Sequence, residues 1–486
     1  MNSSVASIHA RRWWTLGVLS LTQMMVGLDA TVINIALPRA QRALHFSVGN
    51  RQWLITSYAL AFGSLLLLGG RLNDLWGRRN ALFVGLTGFA LASAVGGAAT
   101  SFAVLVSARA FQGAFGALLA PAALAALTTT FVDHKERAHA FAIYGALGAS
   151  GAAIGLLLGG ALTQWTSWRW CLFVNVVVSI FAGLGVARFV ETGRGERRTQ
   201  LDVPGALLGS AALFFVVFGL SHALTSSWSA RATWLSLVAG GLLIALFLSW
   251  QRRSSHPLVP LRIVLNRTRA GSLVALFITS IGIFAITLFL AYYLQGTLGY
   301  SPLRTGVAFL PMVAAIAVSA TIASARLLAK VGPRPLVPAG MILGMLGMVL
   351  FTKLGVDPNY WGQVLPGLVV TGLGLGLIFA PATASATAGV EPFDAGAASA
   401  LVTTSQQGGV SMGTALLNTI AVTVTARAMS SRHGGPFSQR ILERATLHGY
   451  AAAFWWAASF FGAGALATFL LLESGVPDLE SSLVTL

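Results

Sequence analysis

Long apolar runs, broken by short polar gaps, organise the chain. They fall near residues 13–37, 52–70, 80–99, 102–130, 138–161, 170–190, 203–222, 232–250, 270–295, 304–328, 336–356, 362–387, 397–426 and 449–472. A hydrocarbon core of roughly 30 Å takes about 20 helical residues to cross, so the pattern predicts fourteen membrane-spanning helices. An even number puts both termini on one side. With the N-terminus inside, the cytoplasmic gaps carry 19 of the 31 basic residues, against 11 outside and Arg109 within a span. The asymmetry predicts both termini in the cytoplasm, although the outer 427–448 loop, with four arginines, weakens it.

The gaps also repeat. Residues 69–85 align without a break on 324–340, pairing Arg71 with Arg326, Leu72 with Leu327, Gly77 with Gly332, Arg79 with Arg334 and Gly85 with Gly340. At a slightly larger offset, Gly116, Ala120, Pro121 and Ala122 match Gly376, Ala380, Pro381 and Ala382. The simplest reading is a six-helix half over 1–190, a two-helix insert with its flanking loops over 191–269, and a second six-helix half over 270–486. Two such halves around a midplane site is the plan of a rocking transporter.

Composition agrees. Of 486 residues, 56% are hydrophobic and 9% charged, with a mean hydropathy of +0.76, where a soluble protein carries about 25% charge. The net charge of +17 does not indicate nucleic acid, because the arginines fall in short gaps rather than along one face or in a tail. Cys171 is the only cysteine, which excludes an intrachain disulfide and a thiolate cluster, and the histidines show no ligand spacing. The N-terminus resembles a secretion signal superficially. Its apolar run is too long, contains Asp29 and lacks a cleavage site, so it is expected to stay as the first span.

Asp29 lies inside that span, where an ionised carboxylate costs several kcal/mol unless it is partnered, neutralised or wet. About 12 Å of helix separates it from Pro38, which favours a titrating or ion-pairing group over a helix-end acid reaching the headgroups. Arg109 is the second charge inside a span and sits at matching depth. A pair with Asp29, direct or through Gln112 or water, is one reading; a cap on the carbonyls of a neighbouring helix is the other. Gly113, Gly116 and Ala120 share the Arg109 face and would let another helix approach.

In the 70–79 gap, Gly70, Asp74, Gly77, Arg78 and Arg79 suggest a latch, with Asp74 pairing Arg78 across the turn or capping a helix N-terminus; the alternative is a topology signal made of arginines. The fifth span carries Gly145, Gly148, Gly155 and Gly159 on one broad face, read as a close helix crossing. Polar stripes occur on the first span, with Gln23, Gly27 and Asn34 away from Asp29, and on the thirteenth, with Thr404, Gln407, Ser411 and Asn418. Such stripes face a wet cavity or a partner helix, not lipid. Tryptophans near run ends, among them Trp14, Trp165, Trp168, Trp170 and Trp361, fit an interfacial belt.

These residues together resemble a family. The 70–79 gap is similar to the signature between helices two and three of the major facilitator superfamily, and LDATVINIALP at 28–38 resembles the first-helix motif of its fourteen-helix drug:proton antiporters. Gln52-Trp53 with Tyr58, Arg109-Ala110-Phe111-Gln112-Gly113, Trp168-Arg169-Trp170 before Asn175, Tyr293-Leu294-Gln295-Gly296 before Ser301-Pro302, and Gln407-Gly408-Gly409 extend the likeness. The resemblance implies an all-α integral membrane protein with the major-facilitator fold. It assigns Asp29 and Arg109 to proton coupling, the 70–79 gap to a gating latch, and Gly155, Gly159 and Gly160 to the antiporter motif of helix five. Two positions depart from the pattern: Leu156 stands where that motif has proline, and Leu75 where arginine often follows the latch aspartate.

The expected function is proton-coupled export of lipophilic neutral or monocationic small molecules from a monomer in the plasma membrane, surrounded by lipid and without cofactor, metal or nucleic acid. Gln23, Asn34, Tyr58, Gln112, Tyr293, Gln295, Thr404, Gln407 and Ser411 are the candidate cavity lining. A metabolite importer or exchanger on the same fold, or a transport-inactive receptor, are the alternatives. An enzyme is disfavoured, since no nucleophile–base or metal-ligand set appears in the spans, and direct ATP drive is disfavoured by the lack of GxxxxGK[ST].

Overall fold

The computed structural model describes residues 2–47, 50–131, 134–191, 202–225, 230–254, 261–323, 327–356, 359–388, 390, 395–430 and 439–473. Among them the chain is helical, without a strand. The first part holds α1 (Asn2–Leu44), α2 (Arg51–Trp76), α3 (Arg78–Gly97), α4 (Phe102–Thr130), α5 (His134–Trp165) and α6 (Trp170–Phe189). The insert supplies α7 (Val203–Thr225) and α8 (Arg231–Arg253), and the short α9 (Leu261–Val264) follows. Next come α10 (Arg267–Ala285), α11 (Ala291–Gly296), α12 (Pro302–Ala308), α13 (Leu310–Ile322) and α14 (Leu328–Val331). The last part is α15 (Pro333–Phe351), α16 (Leu365–Thr387), α17 (Ala395–Ser430) and α18 (Gln439–Leu471).

Eleven of these helical runs are long and apolar enough to cross a membrane, and three shorter apolar stretches, Trp53–Leu66, Ile154–Trp165 and Val203–Val216, lie in the remaining expected spans. The protein is therefore a multi-pass membrane protein.

Several boundaries differ from the sequence reading. The first helix does not end before Pro38 but runs through it to Leu44. Pro38 lacks only the N–H that would bond the Asn34 carbonyl, a loss that a long helix held by its neighbours absorbs. About 22 Å of helix then follow Asp29. The ninth span is continuous but contains a π-helical turn, Ile286–Leu290, between α10 and α11, and a second π turn, Tyr360–Val364, opens α16. The tenth span breaks at Phe309, and α13 restarts with proline in its first turn, where a missing N–H costs nothing.

Two compact units emerge, one of Met1–Phe214, Gly240–Leu258 and Ser301–Val307, the other of Phe215–Ala239, Val259–Tyr300 and Ala308–Leu486. In the first, α1 packs on α4, α5 and α6, α3 on α4 and α6, and α2 on α4. In the second, α10 packs on α16, α17 and α18, α15 on α16 and α18, and α13 on α16. The neighbours correspond element by element, which gives the weak sequence repeat a structural counterpart. Gly77 (φ 78°, ψ 147°) and Gly332 (φ 72°, ψ −179°) occupy the same left-hand side of backbone space at equivalent turns, a region essentially closed to residues with a Cβ. Arg79, opening α3, donates to the Ala187 carbonyl of α6 at 2.7 Å, and its counterpart Arg334, opening α15, stacks over the Phe469 ring of α18 at 5.1 Å.

Candidate functional site

Asp29 and Arg109 meet directly inside the first unit. One Arg109 terminal nitrogen lies 2.7 Å from Asp29 Oδ2, with side-chain exposures of 1% and 0% for the two partners. Burial at this level removes solvent screening, so the pair depends on further hydrogen bonds to its polar atoms. Several are present. Arg109 Nε donates to the Leu54 carbonyl of α2 at 3.2 Å, and the bonded terminal nitrogen also reaches Gln112 Oε1 at 3.0 Å. Gln112 Nε2 donates to Asp29 Oδ1 at 3.2 Å and to Ser93 Oγ of α3 at 2.7 Å. Asn175 Nδ2, on α6, donates to the same Asp29 Oδ1 at 2.6 Å.

Small residues on α4 bring α2 in. A Cβ at Gly113 would run into the Tyr58 carbonyl, and one at Gly116 would lie 2.9 Å from the Phe62 ring. The close approach sets the Tyr58 ring 4.4 Å from the Arg109 guanidinium carbon, a cation–π contact in a desolvated setting worth about 2 kcal/mol. Tyr58 and Gln112 thus sit in the packed interior around the pair. On the other side, α5 crosses α1 beside Asp29. A Cβ at Gly151 would meet the Met24 carbonyl, one at Gly155 the Leu28 carbonyl at 2.7 Å, and one at Gly159 the Val32 carbonyl at 3.0 Å. Gly160 lies against Pro302 and Leu303 of the same unit, and α5 is one uninterrupted helix through Leu156. What Gly145 and Gly148 pack against falls outside the described residues.

In the 70–79 gap, Gly77 closes α2 by donating to the Asn73 carbonyl at 3.0 Å and opens α3. Arg78 donates to Thr129 Oγ1 of α4 at 2.5 Å, Arg79 caps α6 as described, and Gly70 lies near Pro121. The Asp74 side chain, like that of Ser411, falls outside the described residues.

The remaining candidates are dispersed. Gln23 accepts a bond from the Tyr144 hydroxyl at 2.8 Å, and Asn34 is buried, donating to the Ala30 carbonyl while its Oδ1 has no partner among the described residues. In the second unit the buried Tyr293 hydroxyl lies 2.9 Å from the Gly355 carbonyl and 3.1 Å from Gln363 Oε1. Gln295, Thr404 and Gln407 are half-buried, and the Thr404 hydroxyl is buried without a partner among the described residues. Asp202, at the foot of α7, accepts from Gly205 N at 2.9 Å, Trp250 Nε1 at 2.6 Å and Gln251 Nε2 at 2.7 Å, which clasps the insert hairpin. Trp168 is buried beneath Arg169 rather than interfacial, and Arg169 caps the end of α3 through the Gly97 carbonyl at 2.9 Å.

Sequence reasoning missed Ser93, the Leu54 carbonyl and the contact of Asn175 with Asp29. The signal for Asn175 was present, since it is a lone amide in an apolar span and such groups face the protein interior.

The sequence model of the Major Facilitator Superfamily matches residues 19–414. The chain belongs to the major facilitator superfamily. It is 44% identical over 466 residues to a puromycin resistance protein of Streptomyces alboniger, covering 96% of this chain and 92% of that one. Identity to a cephamycin export protein of Amycolatopsis lactamdurans is 37%, over 86% of this chain and 88% of the relative. A crystal structure of a bacterial homologue of the human lysosomal transporter Spinster superposes with a TM-score of 0.64 at 16% identity, covering 95% and 97% of the two chains, and shares the fold. Like other members of the superfamily, the protein is a transporter and not an enzyme.

Proposed function

We propose that this transporter exports lipophilic neutral or monocationic small molecules in exchange for protons, with Asp29 as the proton site and Arg109 as its counter-charge. The observation that carries the reading is a wholly buried carboxylate, ion-paired to a guanidinium, deep in a membrane-crossing helix of a major facilitator. Protonation of Asp29 removes the charge that holds Arg109 and biases one packing of the helices over another. A proton crossing 100 mV releases about 2.3 kcal/mol, enough for roughly a 50-fold substrate gradient.

The spans from 270–295 to 397–426 contain no acid, which favours a substrate with at most one positive charge. The relative named for puromycin resistance makes an amine antibiotic of that kind the first substrate to test. Gln23, Asn34, Tyr293, Gln295, Thr404 and Gln407 are proposed to line its path, with Tyr58, Gln112 and Ser411 adjoining. The 70–79 turn acts as the gating latch and the α1–α5 glycines as the seal. We place the protein in the plasma membrane as a monomer, with both termini cytoplasmic.

The test is proton release from purified protein in detergent near neutral pH as puromycin, other lipophilic antibiotics and dyes are added. Wild type releases protons on binding and Asp29→Asn binds without release. Binding without release in both proteins refutes antiport at Asp29 and points to uniport or a receptor.

A further inference from the structure

The three side chains that bond Asp29 differ in how they meet a change in its charge. A carboxylate only accepts hydrogen bonds, whereas a carboxylic acid carries one O–H and needs an acceptor. Arg109 has donors alone. Gln112 gives its Oε1 to Arg109 and its Nε2 to Ser93 and Asp29. Asn175 is different. It is fully buried, its Nδ2 donates to Asp29 Oδ1 at 2.6 Å, and its own Oδ1 has no partner among the described residues.

We propose that Asn175 reads the protonation state of Asp29 and carries it to α6. It donates through Nδ2 to the carboxylate and, after a half-turn of its amide, accepts through Oδ1 the O–H of the protonated acid. The inference rests on the proton-coupled reading of Asp29. One proton from water adds to a carboxylate oxygen and later leaves from it, with no change in any bond between heavy atoms. The terminal amide torsion is broad and roughly two-fold, so the half-turn exchanges one rotamer for its near-equivalent. It leaves Nδ2 where Oδ1 had been, and the count of unpaired amide atoms is the same before and after.

The surroundings make the exchange selective. Among the described residues, the charged and titratable groups that face Asp29 are Arg109 of α4 and Tyr58 of α2. Cys171, earlier on α6, faces Thr163 and Gly159 of α5, and Tyr144 of α5 faces Gln23. When Asp29 becomes neutral, Arg109 keeps the Leu54 carbonyl, Gln112 and the Tyr58 ring. The tie between α1 and α4 therefore loosens, whereas the tie between α1 and α6 persists with its polarity reversed. Asn175 is a positioning residue: it holds α1 to α6 in both charge states and lets α4 alone respond.

Puromycin transport against an imposed proton gradient, in proteoliposomes of wild type, Asp29→Asn, Asn175→Leu and the double variant, tests this together with infrared difference spectra between acid and neutral pH. Asn175→Leu lowers kcat about tenfold, the loss expected for one hydrogen bond to a charged group, and leaves KM within about twofold. The double variant is no slower than Asp29→Asn. In wild type with isotope-labelled asparagine, the carboxylic acid band and a side-chain amide band change together, and both changes are absent from Asp29→Asn. Asn175→Leu shifts the acid band. Where that variant fails to fold, Asn175→Ser, which keeps a hydroxyl donor and acceptor, replaces it and retains more than half of wild-type kcat.

An unchanged kcat and acid band in folded Asn175→Leu, or a labelled amide band indifferent to pH, overturns the proposal while leaving antiport intact. Wild type that binds puromycin without exchanging protons overturns the antiport reading, and the proposal falls with it.

Discussion

Arg109 has neutral partners to fall back on, in the Leu54 carbonyl, Gln112 and the Tyr58 ring, but Asp29 has only one counter-charge among the described residues. The two halves of the pair should therefore respond unequally to truncation. Arg109→Gln leaves an ionised carboxylate buried and should cost about 3–5 kcal/mol. Asp29→Asn should cost less, and Asp29→Asn combined with Arg109→Gln should recover most of the loss, because no charge is then stranded. Denaturant unfolding in detergent ranks the three, and a double variant whose cost is the sum of the singles would contradict this account. The pair was legible from sequence because two lone opposite charges at one depth in a membrane have few alternatives to each other. Ser93 was not, since a hydroxyl in a span looks the same whether it serves helix packing or a carboxylate; the lone amide of Asn175 announced an interior position but not its partner.

At the scale of helices, the contact of α1 with α5 depends on backbone reaching backbone. Gly155 faces the Thr31 hydroxyl and the carbonyl of Leu28, the residue before Asp29, and an added methyl there has nowhere to go. Gly183 on α6 has open space around the same hypothetical atom. Gly155→Ala should thus destabilise by about 1–3 kcal/mol through overpacking and impair transport by displacing Asp29 from Arg109 and Asn175. Gly183→Ala should be neutral or stabilising by up to about 1 kcal/mol. Thermal unfolding with transport in the same preparations checks both, and equal behaviour of the two variants would remove the crossing from the account. Glycine spacing announced this packing in the sequence. The passage of α1 through Pro38 was not announced, because a proline stops a lone helix yet only bends the bookkeeping of a helix whose neighbours hold it in place.

Across the whole chain, the repeat was visible as a handful of shared residues, and the structure explains which of them mattered: Gly77 and Gly332 for backbone reasons, Arg79 and Arg334 for reaching the sixth helix of their own units. The π turns at Ile286–Leu290 and Tyr360–Val364 left no such trace, since one inserted residue per turn does not alter an apolar run. Orientation in the membrane follows from parity. The proposed fourteen crossings, with the N-terminus inside, would put Thr100 and Lys353 outside and Asn80 and Glu473 inside; all four are exposed. The native Cys171 is buried, so single cysteines at these positions report against a quiet background. A membrane-impermeant maleimide should label Thr100→Cys and Lys353→Cys in intact cells, and Asn80→Cys and Glu473→Cys only after permeabilisation. If Lys353→Cys and Glu473→Cys exchange behaviour while the first pair does not, the insert crosses the membrane an odd number of times and the two units are inverted. The rocking plan with parallel halves would then fail. Reversal of all four would instead keep the plan and turn the whole molecule over, making the arginines of 427–448 cytoplasmic.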